Sequence, residues 1–197
     1  MSRDVTLCIL AGGEGRRMGR PKGELRIGGV PILCHLLDQI SWKGPTMLVT
    51  APGREHPPGW ERFDREVVDP VAGLGPLRGL LTALENTTTD LIAVTTVDMP
   101  GITARQLDFL IERLRGQPEW LGVMARRTMQ ASEQIEPFPS VFRPKAKDIV
   151  TEELQAQRRS VYRLASIAGF HVIDAPPDWG EEVWKNLNTP LDIESQA

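Results

Sequence analysis

Apolar residues occur along this chain in two patterns, and the two patterns alternate. Short runs of consecutive apolar residues, rich in Val, Ile and Leu, are typical of buried strands. The run at residues 5–10 stops at Ala11-Gly12-Gly13, and the run at residues 90–97 is the most strand-like in the chain. The pattern predicts strands at residues 5–10, 47–50, 66–69, 90–97, 121–125, 140–142 and 171–174.

Between these runs, apolar positions recur every three or four residues. In the segment 32–40 this spacing places Leu33, Leu36, Leu37 and Ile40 on one helical face. The same spacing predicts helices over residues 77–85 and 103–115 and two more within 145–168, with Pro31 as the first residue of the first helix and Thr103 as an N-cap.

Strands that alternate with helices imply right-handed crossovers and a mostly parallel sheet. The sequence therefore predicts an α/β fold, a three-layer α/β/α sandwich with a Rossmann-like, mostly parallel sheet. A length of 197 residues suits one domain with a sizeable core.

Composition narrows the class of protein further. The chain is 41% apolar and 25% charged, as expected of a globular protein, and no stretch has the ~18 apolar residues of a membrane span. We expect no signal peptide. A net charge of −3 argues against nucleic-acid binding. Cys8 and Cys34 are expected to be buried free thiols, which favours a cytoplasmic protein.

The segment that follows the first strand, residues 11–23, combines glycines with cations, and we call it the glycine loop. Backbone N–H groups of glycines can turn inward as a nest for anions, and Arg and Lys side chains suit phosphate oxygens. These features predict a phosphate-binding loop, and the alternative is a solvated loop without a ligand. The residues concerned are Gly12, Gly13, Gly15, Arg16, Arg17, Gly19, Arg20 and Lys22.

Two well-known phosphate loops do not match this segment. A P-loop requires Ser or Thr after its Gly-Lys pair, but Lys22 is followed by Gly23 and Glu24. The dinucleotide-binding fingerprint requires a third glycine where this chain has Met18. A nucleotide site of a third kind is therefore expected.

Further polar residues follow other predicted strands at their carboxyl ends. Asp69 and the glycines of 73–79 follow the third strand, and Asp98 follows the buried strand at 90–97. In open α/β sheets, ligands bind at this edge. Asp98 fits either a turn or, facing a triphosphate, a magnesium ligand. A second anion site is predicted where Arg158 and Arg159 precede Ser160 as a helix N-cap.

Several segments together resemble the nucleotidyltransferase superfamily, and most closely its molybdenum cofactor guanylyltransferase family. They are LAGGEGRRMGRPKG at 10–23, VDMP at 97–100 and NLNTPLDI at 186–193, with Asp69 before a Gly-Pro-Leu-x-Gly segment at 75–79. The resemblance covers essentially the whole chain. It implies the nucleotide-diphospho-sugar transferase-like form of the fold, with a nucleotide-binding half at about 1–115 and a molybdopterin-binding half at about 116–197.

The resemblance also implies residue roles. The catalytic residues would be Arg17, Lys22 and Asp98. The nucleotide site would comprise Leu10, Ala11, Gly12, Gly13, Lys22, Thr50, Asp69, Gly75 and Asp98, with Asp98 as the metal ligand. The molybdopterin site would comprise Arg158, Ser160, Asn186 and Asn188. The chain departs from the family pattern at Thr50, where Asn is frequent, and at Phe138-Pro139, where His-Pro is frequent.

The reaction implied is attack by the terminal phosphate of molybdopterin on the α-phosphorus of GTP, with release of pyrophosphate and Mg²⁺ as cofactor. Implied partners are GTP, molybdopterin, a molybdenum-insertion protein and acceptor apo-molybdoenzymes. Three alternatives stay open at this point: a molybdopterin cytidylyltransferase, a sugar-phosphate nucleotidyltransferase, and a non-catalytic nucleotide-binding accessory protein.

Overall fold

The structure, a computed structural model, describes residues 4–13, 15, 19, 21–129 and 132–188. Its strands are β1 (Val5–Leu10), β2 (Arg26–Ile27), β3 (Val30–Pro31), β4 (Thr46–Thr50), β5 (Arg65–Val68), β6 (Leu91–Thr96), β7 (Gly122–Met129), β8 (Ser132–Phe142) and β9 (Phe170–Asp174). Its α-helices are α1 (Ile32–Ile40), α2 (Pro76–Asn86), α3 (Ala104–Arg115), α4 (Lys147–Gln155) and α5 (Glu181–Trp184).

Strand β1 lies near the middle of a seven-stranded sheet with the order β5-β4-β1-β6-β8-β7-β9. All six residues of β1 are buried, which explains why all of them except Thr6 are apolar. It runs parallel to both neighbours, and Leu10 pairs with Val49 of β4 and with Thr96 of β6. The carboxyl ends of three strands therefore meet at one rim of the sheet.

Helices cover both faces of this sheet. Ile32, Leu33 and Leu36 of α1 share a buried cluster with Ile9. On α2, a Cβ built on Gly79 would lie 3.5 Å from the Leu10 side chain. Successive strand residues point to opposite faces, so α1 and α2 lie on opposite sides of β1. The predicted three-layer α/β/α sandwich is confirmed.

The sheet is mostly parallel, as predicted, but β8 is antiparallel to both β6 and β7. Strands β7 and β8 form a hairpin much longer than the two short strands expected from 121–125 and 140–142. Its extension carries charged residues and two prolines, Pro137 and Pro139, which hide the strand pattern in the sequence.

Two of the helix predictions need correction, one in its first residue and one in its type. Pro31 is the N-cap of α1 and belongs to β3, whereas the sequence suggested that it was the first helical residue. The second helix expected within 145–168 is a 3₁₀ helix over Val161–Ser166, preceded by Ser160 without a side-chain cap. By contrast, the Thr103 N-cap is confirmed, because its hydroxyl accepts from the Arg105 N–H.

The two cysteines differ in burial. Cys8 lies fully buried in β1, and burial raises the pKa of its thiol. Cys34 lies on α1 and is only half-buried, so the expectation of burial was wrong for this residue. Both are free thiols. Among the described residues no helix has the length and hydropathy that a membrane crossing would need.

Gly101 allows α5 to pack against the turn after β6, and its replacement should loosen that contact. A Cβ on Gly101 would lie 2.7 Å from the carbonyl carbon of Glu182 and closer still to its oxygen. Since backbone would have to move, we expect Gly101→Ala to lower the free energy of unfolding by about 1–3 kcal/mol in denaturant titrations. Gly180→Ala, which meets nothing within 4 Å, is the control and should cost less than about 1 kcal/mol. Equal losses in the two variants would contradict this packing role.

Candidate active site

A cleft of about 500 Å³ opens at the rim where β1, β4 and β6 end. Its walls come from the glycine loop, from the segment after β4, from the start of α2 and from the turn after β6. This is the edge at which ligands bind in open α/β sheets. The lining residues are Leu10, Gly12, Gly13, Gly15, Lys22, Val49, Ala51, Pro52, Arg54, Asp69, Val71, Ala72, Gly73, Leu74, Gly75, Pro76, Arg78, Gly79, Thr96, Val97 and Asp98.

At one side of the cleft, Lys22 and Asp98 form an ion pair through Nζ and Oδ2. Lys22 Nζ also donates to Asn188 Oδ1 at 2.9 Å. The Lys22 and Asp98 side chains are only 18% and 16% exposed, which limits screening of their charges by water. Three distant parts of the chain, the glycine loop, the end of β6 and the segment after α5, thus meet at one charged cluster.

Backbone contacts hold this cluster in place. Lys22 begins a short 3₁₀ turn, Lys22–Glu24, that closes the glycine loop. The Val97 N–H donates to Leu10 O at 3.1 Å, and the Leu187 N–H donates to Asp98 O at 2.8 Å. These bonds join backbone atoms, so they position the backbone of Asp98 without help from side chains, and the 3₁₀ turn does the same for the backbone of Lys22.

On the other side of the cleft, Asp69 follows β5 and faces α2. Its Oδ1 accepts a hydrogen bond from the Thr82 hydroxyl and lies 3.7 Å from Arg78 Nε. Burial raises the pKa of Asp69, although Thr82 and Arg78 both favour its ionised form. Arg78 also donates to Glu85 at 3.1 Å. Asp69 therefore presents its second oxygen, Oδ2, toward Gly79, where a Cβ would stand 3.8 Å away.

Gly75 is the N-cap of α2 and has a backbone conformation that other residues rarely adopt. Its φ is 77°, and a Cβ there would lie 3.1 Å from Arg159 O. The same carbonyl accepts from the Leu77 N–H at 3.3 Å. The start of α2 can therefore approach both a ligand and the segment before the 161–166 turn.

Most residues predicted for the nucleotide site line this cleft, and two of them do not. Those that line it are Leu10, Gly12, Gly13, Lys22, Asp69, Gly75 and Asp98. Ala11 is buried and donates its N–H to Val49 O at 2.8 Å. Thr50 donates its hydroxyl to Glu66 Oε1 at 2.8 Å. Arg17 lies outside the described residues, so its catalytic role stays a prediction.

The residues predicted for molybdopterin lie in different places. Asn188 belongs to the Lys22 cluster, and Asn186 Nδ2 donates to Trp184 O at 3.3 Å. Arg158 pairs with Glu153 at 2.6 Å, and Arg159 donates to Gly73 O at 3.3 Å. The α-helix start expected at Ser160 is absent, as described above, so the predicted second anion site loses one of its three components.

Known nucleotidyltransferases are similar to this chain along nearly its whole length. A family model for the MobA-like NTP transferase domain matches residues 7–169. The chain belongs to this family. The molybdenum cofactor guanylyltransferase of Shewanella putrefaciens is 31% identical to it over 196 residues, which is 96% of this chain and 94% of the relative. A probable molybdenum cofactor guanylyltransferase of Thermococcus kodakarensis is 25% identical, over 94% of this chain and 90% of the relative.

Solved structures agree with the MobA-like NTP transferase fold. Molybdopterin-guanine dinucleotide biosynthesis protein A from Archaeoglobus fulgidus superposes with a TM-score of 0.77 at 20% identity, covering 97% of this chain and 96% of the other. The 2-C-methyl-D-erythritol 4-phosphate cytidylyltransferase from Thermus thermophilus gives a TM-score of 0.72 at 13% identity, covering 97% and 95%. The fold is thus shared by nucleotidyltransferases whose names carry different bases. The predicted resemblance and fold class are confirmed.

The donor set of this MobA-like NTP transferase suits a metal ion that arrives with its nucleotide. Within the described part of the chain, no three His, Cys, Asp or Glu side chains cluster as a ready-made metal site. Asp98 is the carboxylate at the Lys22 side of the cleft. Mg²⁺ is commonly held by one or two carboxylates together with substrate phosphates and water. The described residues therefore fit Mg²⁺ only if a triphosphate supplies further oxygen ligands beside Asp98.

Sequence reasoning missed three side chains near the cleft. Arg78 could have been found, because its i+4 and i+7 spacing to Thr82 and Glu85 places them along one side of α2. Arg54 lies in a polar segment rich in proline that carries no periodic signal. Glu66 lies in the short strand β5, where a charged residue is expected to face water, yet its side chain is only 8% exposed.

Proposed function

We propose that this MobA-like NTP transferase moves GMP from GTP to the terminal phosphate of molybdopterin, forming molybdopterin guanine dinucleotide and releasing pyrophosphate. The observation that carries the proposal is the contact between Lys22 and Asp98 in a cleft lined by the glycine loop. A cation, glycine amides and a carboxylate together suit a triphosphate with its metal ion. Relatives covered along nearly their full length carry the guanylyltransferase name.

The proposed reaction requires the protein to position the two substrates and to supply positive charge. A phosphate monoester has a second pKa of about 6, so the terminal phosphate of molybdopterin is mostly a dianion at neutral pH. It therefore needs no general base. The protein must hold two polyanions in line and stabilise the charge that grows on the leaving pyrophosphate.

Each part of the cleft has a task in this proposal. The amides of Gly12 and Gly13 and the ammonium of Lys22 bind the triphosphate. Asp98 would hold Mg²⁺, which supplies positive charge to the phosphates when it is bound. Asn188, which accepts a hydrogen bond from Lys22, would contact the acceptor phosphate. Arg17 stays a catalytic candidate on the sequence alone.

For the base, a carboxylate can accept from both the N1–H and the amino group of guanine, whereas the edge of cytosine offers acceptors that it would repel. Asp69 has one oxygen engaged by Thr82, which leaves Oδ2 for a ligand. We therefore assign Asp69 at most one hydrogen bond to the base, and backbone groups near Gly75 supply the rest of the selectivity.

We also propose which proteins act before and after this one, and in which compartment. A molybdenum-insertion protein would supply the molybdopterin substrate, and apo-molybdoenzymes would receive the product. We place the protein in the cytoplasm, where free thiols such as Cys8 and Cys34 are kept reduced.

Release of pyrophosphate from each of the four nucleoside triphosphates, with and without molybdopterin, tests this function directly. We expect release from GTP in the presence of molybdopterin and Mg²⁺, and little from the other three. Equal turnover of CTP would favour a cytidylyltransferase, and release with hexose 1-phosphate in place of molybdopterin would favour a sugar-phosphate nucleotidyltransferase. Binding of GTP without any turnover would support a non-catalytic role and contradict the proposal.

A further inference from the structure

The described residues that line the cleft carry one more cation than carboxylates. Among its described lining residues the cations are Lys22, Arg54 and Arg78, and the carboxylates are Asp69 and Asp98. Lys22 pairs with Asp98, and Arg78 pairs with Asp69. No carboxylate of the described residues pairs with Arg54. Within the described part of the cleft, the guanidinium of Arg54 is therefore the one cation without a carboxylate partner.

Arg54 is already in contact with the glycine loop. Its Nη1 donates to Gly13 O at 3.3 Å, so the guanidinium lies beside the backbone that is expected to bind phosphates. The residue is exposed, and the 3.3 Å bond to a neutral carbonyl is long. A phosphate oxygen would be a stronger acceptor for the same donor, because hydrogen bonds to charged groups are stronger than those to neutral ones.

The segment that carries Arg54, residues 51–57, packs along the glycine loop at both of its ends. A Cβ on Gly12 would lie 3.6 Å from Ala51 N, and a Cβ on Gly23 would lie 3.1 Å from Pro57 Cβ. This segment, which we call the 51–57 wall, therefore lies against the glycine loop, and Ala51, Pro52 and Arg54 line the cleft beside it.

A buried carboxylate fixes the 51–57 wall from behind. Glu66 Oε1 accepts from the Thr50 hydroxyl at 2.8 Å, and Glu66 Oε2 contacts His56 Nδ1. The Glu66 side chain is 8% exposed. His56 in turn stacks on Trp60, with ring centroids 4.2 Å apart. One carboxylate thus ties down the residue before the wall and a residue near its end.

We propose that Arg54 is a further phosphate-binding residue of the nucleotide site, and that Glu66 positions it by holding the 51–57 wall through Thr50 and His56. The inference rests on the proposed function, because it takes GTP as the nucleotide. Arg54 approaches the triphosphate from the β4 side, opposite the Lys22 and Asp98 pair. Neither residue was singled out by the sequence pattern.

Binding of GTP, GDP and GMP to Arg54→Ala, measured by calorimetry with Mg²⁺, tests whether Arg54 binds the phosphates. We expect GTP to bind about ten- to a hundredfold more weakly, the range for loss of a hydrogen bond to a charged group, with a much smaller change for GMP. Arg54→Lys should recover part of the loss, since it keeps the charge but not the fork. Arg26→Ala is the matched control, an exposed arginine whose guanidinium also donates to one carbonyl, Gly29 O.

The outcomes separate this inference from the proposed function. A wild-type protein that binds no GTP would overturn both. Normal GTP turnover by the wild type together with unchanged GTP affinity in Arg54→Ala would overturn the role of Arg54 alone. An equal loss for GTP and GMP would also overturn it, because that result places Arg54 away from the outer phosphates.

A double-mutant comparison tests the positioning role of Glu66. Both Glu66→Gln and His56→Ala should raise the KM for GTP and leave kcat within about threefold, since neither touches the ligand. In the Arg54→Ala background, either change should add little, because the group that it positions is gone. Full additivity would mean that Glu66 acts independently of Arg54. His56 is exposed, so His56→Ala keeps the test valid if Glu66→Gln fails to fold. Glu61→Gln, at an exposed carboxylate in the 3₁₀ turn Trp60–Arg62 that follows the wall, is the control.

Discussion

Replacing Asp98 with Ala should leave the fold intact and lower turnover by about a hundredfold or more, the scale of losing a preorganised electrostatic group. The side chain faces the cleft and is the proposed magnesium ligand, so its loss removes both the metal contact and the partner of Lys22. The fold should persist because the Asp98 carbonyl still accepts from the Leu187 N–H at 2.8 Å. Steady-state pyrophosphate release and the denaturant midpoint measure the two effects.

Asp90→Asn is the matched control for this experiment. Asp90 is exposed and lies just before β6, at the end of the strand opposite to Asp98. Its change should leave turnover at the wild-type level. Near-normal magnesium-dependent turnover in Asp98→Ala would show that the metal assignment is wrong, and a large drop in its denaturant midpoint would make Asp98 a structural residue.

Local patterns were sufficient to predict the part of the fold that carries the cleft. β1 is apolar and ends in glycines, so both its burial and its end could be located without knowledge of its neighbours. The pattern of β6 likewise put Asp98 at a strand end. Because both strands run parallel in one sheet, those two ends had to share a rim. The structure places Lys22 and Asp98 in direct contact there.

Contacts that follow no helical or strand spacing could not be predicted in this way. The β7–β8 hairpin is stabilised by pairing along its length, and its charged and proline residues carry no strand pattern. The Thr50–Glu66–His56 cluster depends on how the 51–57 wall folds back over β4 and β5, which no spacing encodes. At Arg158 the sequence supplied the cation, but it could not reveal that Glu153 would pair with it.

Replacing Lys22 with Ala should also lower turnover by about a hundredfold, because it removes the fixed cation that we propose binds the triphosphate. Much of this loss should appear in kcat, since charge on the leaving pyrophosphate grows in the transition state and a partner of that charge acts mainly there. Lys22→Arg should recover only part of the rate, because a planar guanidinium cannot occupy the position of a compact ammonium between Asp98 and Asn188. Lys43→Ala, an exposed lysine away from the cleft, is the control.

The double variant Lys22→Ala/Asp98→Ala shows whether the two side chains act as one unit. Because they form an ion pair in the cleft, each single change also leaves the other charge without its partner. The double variant should therefore lose clearly less than the product of the two single losses. Losses that multiply exactly would mean that Lys22 and Asp98 act at separate steps. In that case the contact between them would be structural, and the triphosphate and its metal ion would have to be bound by different parts of the cleft.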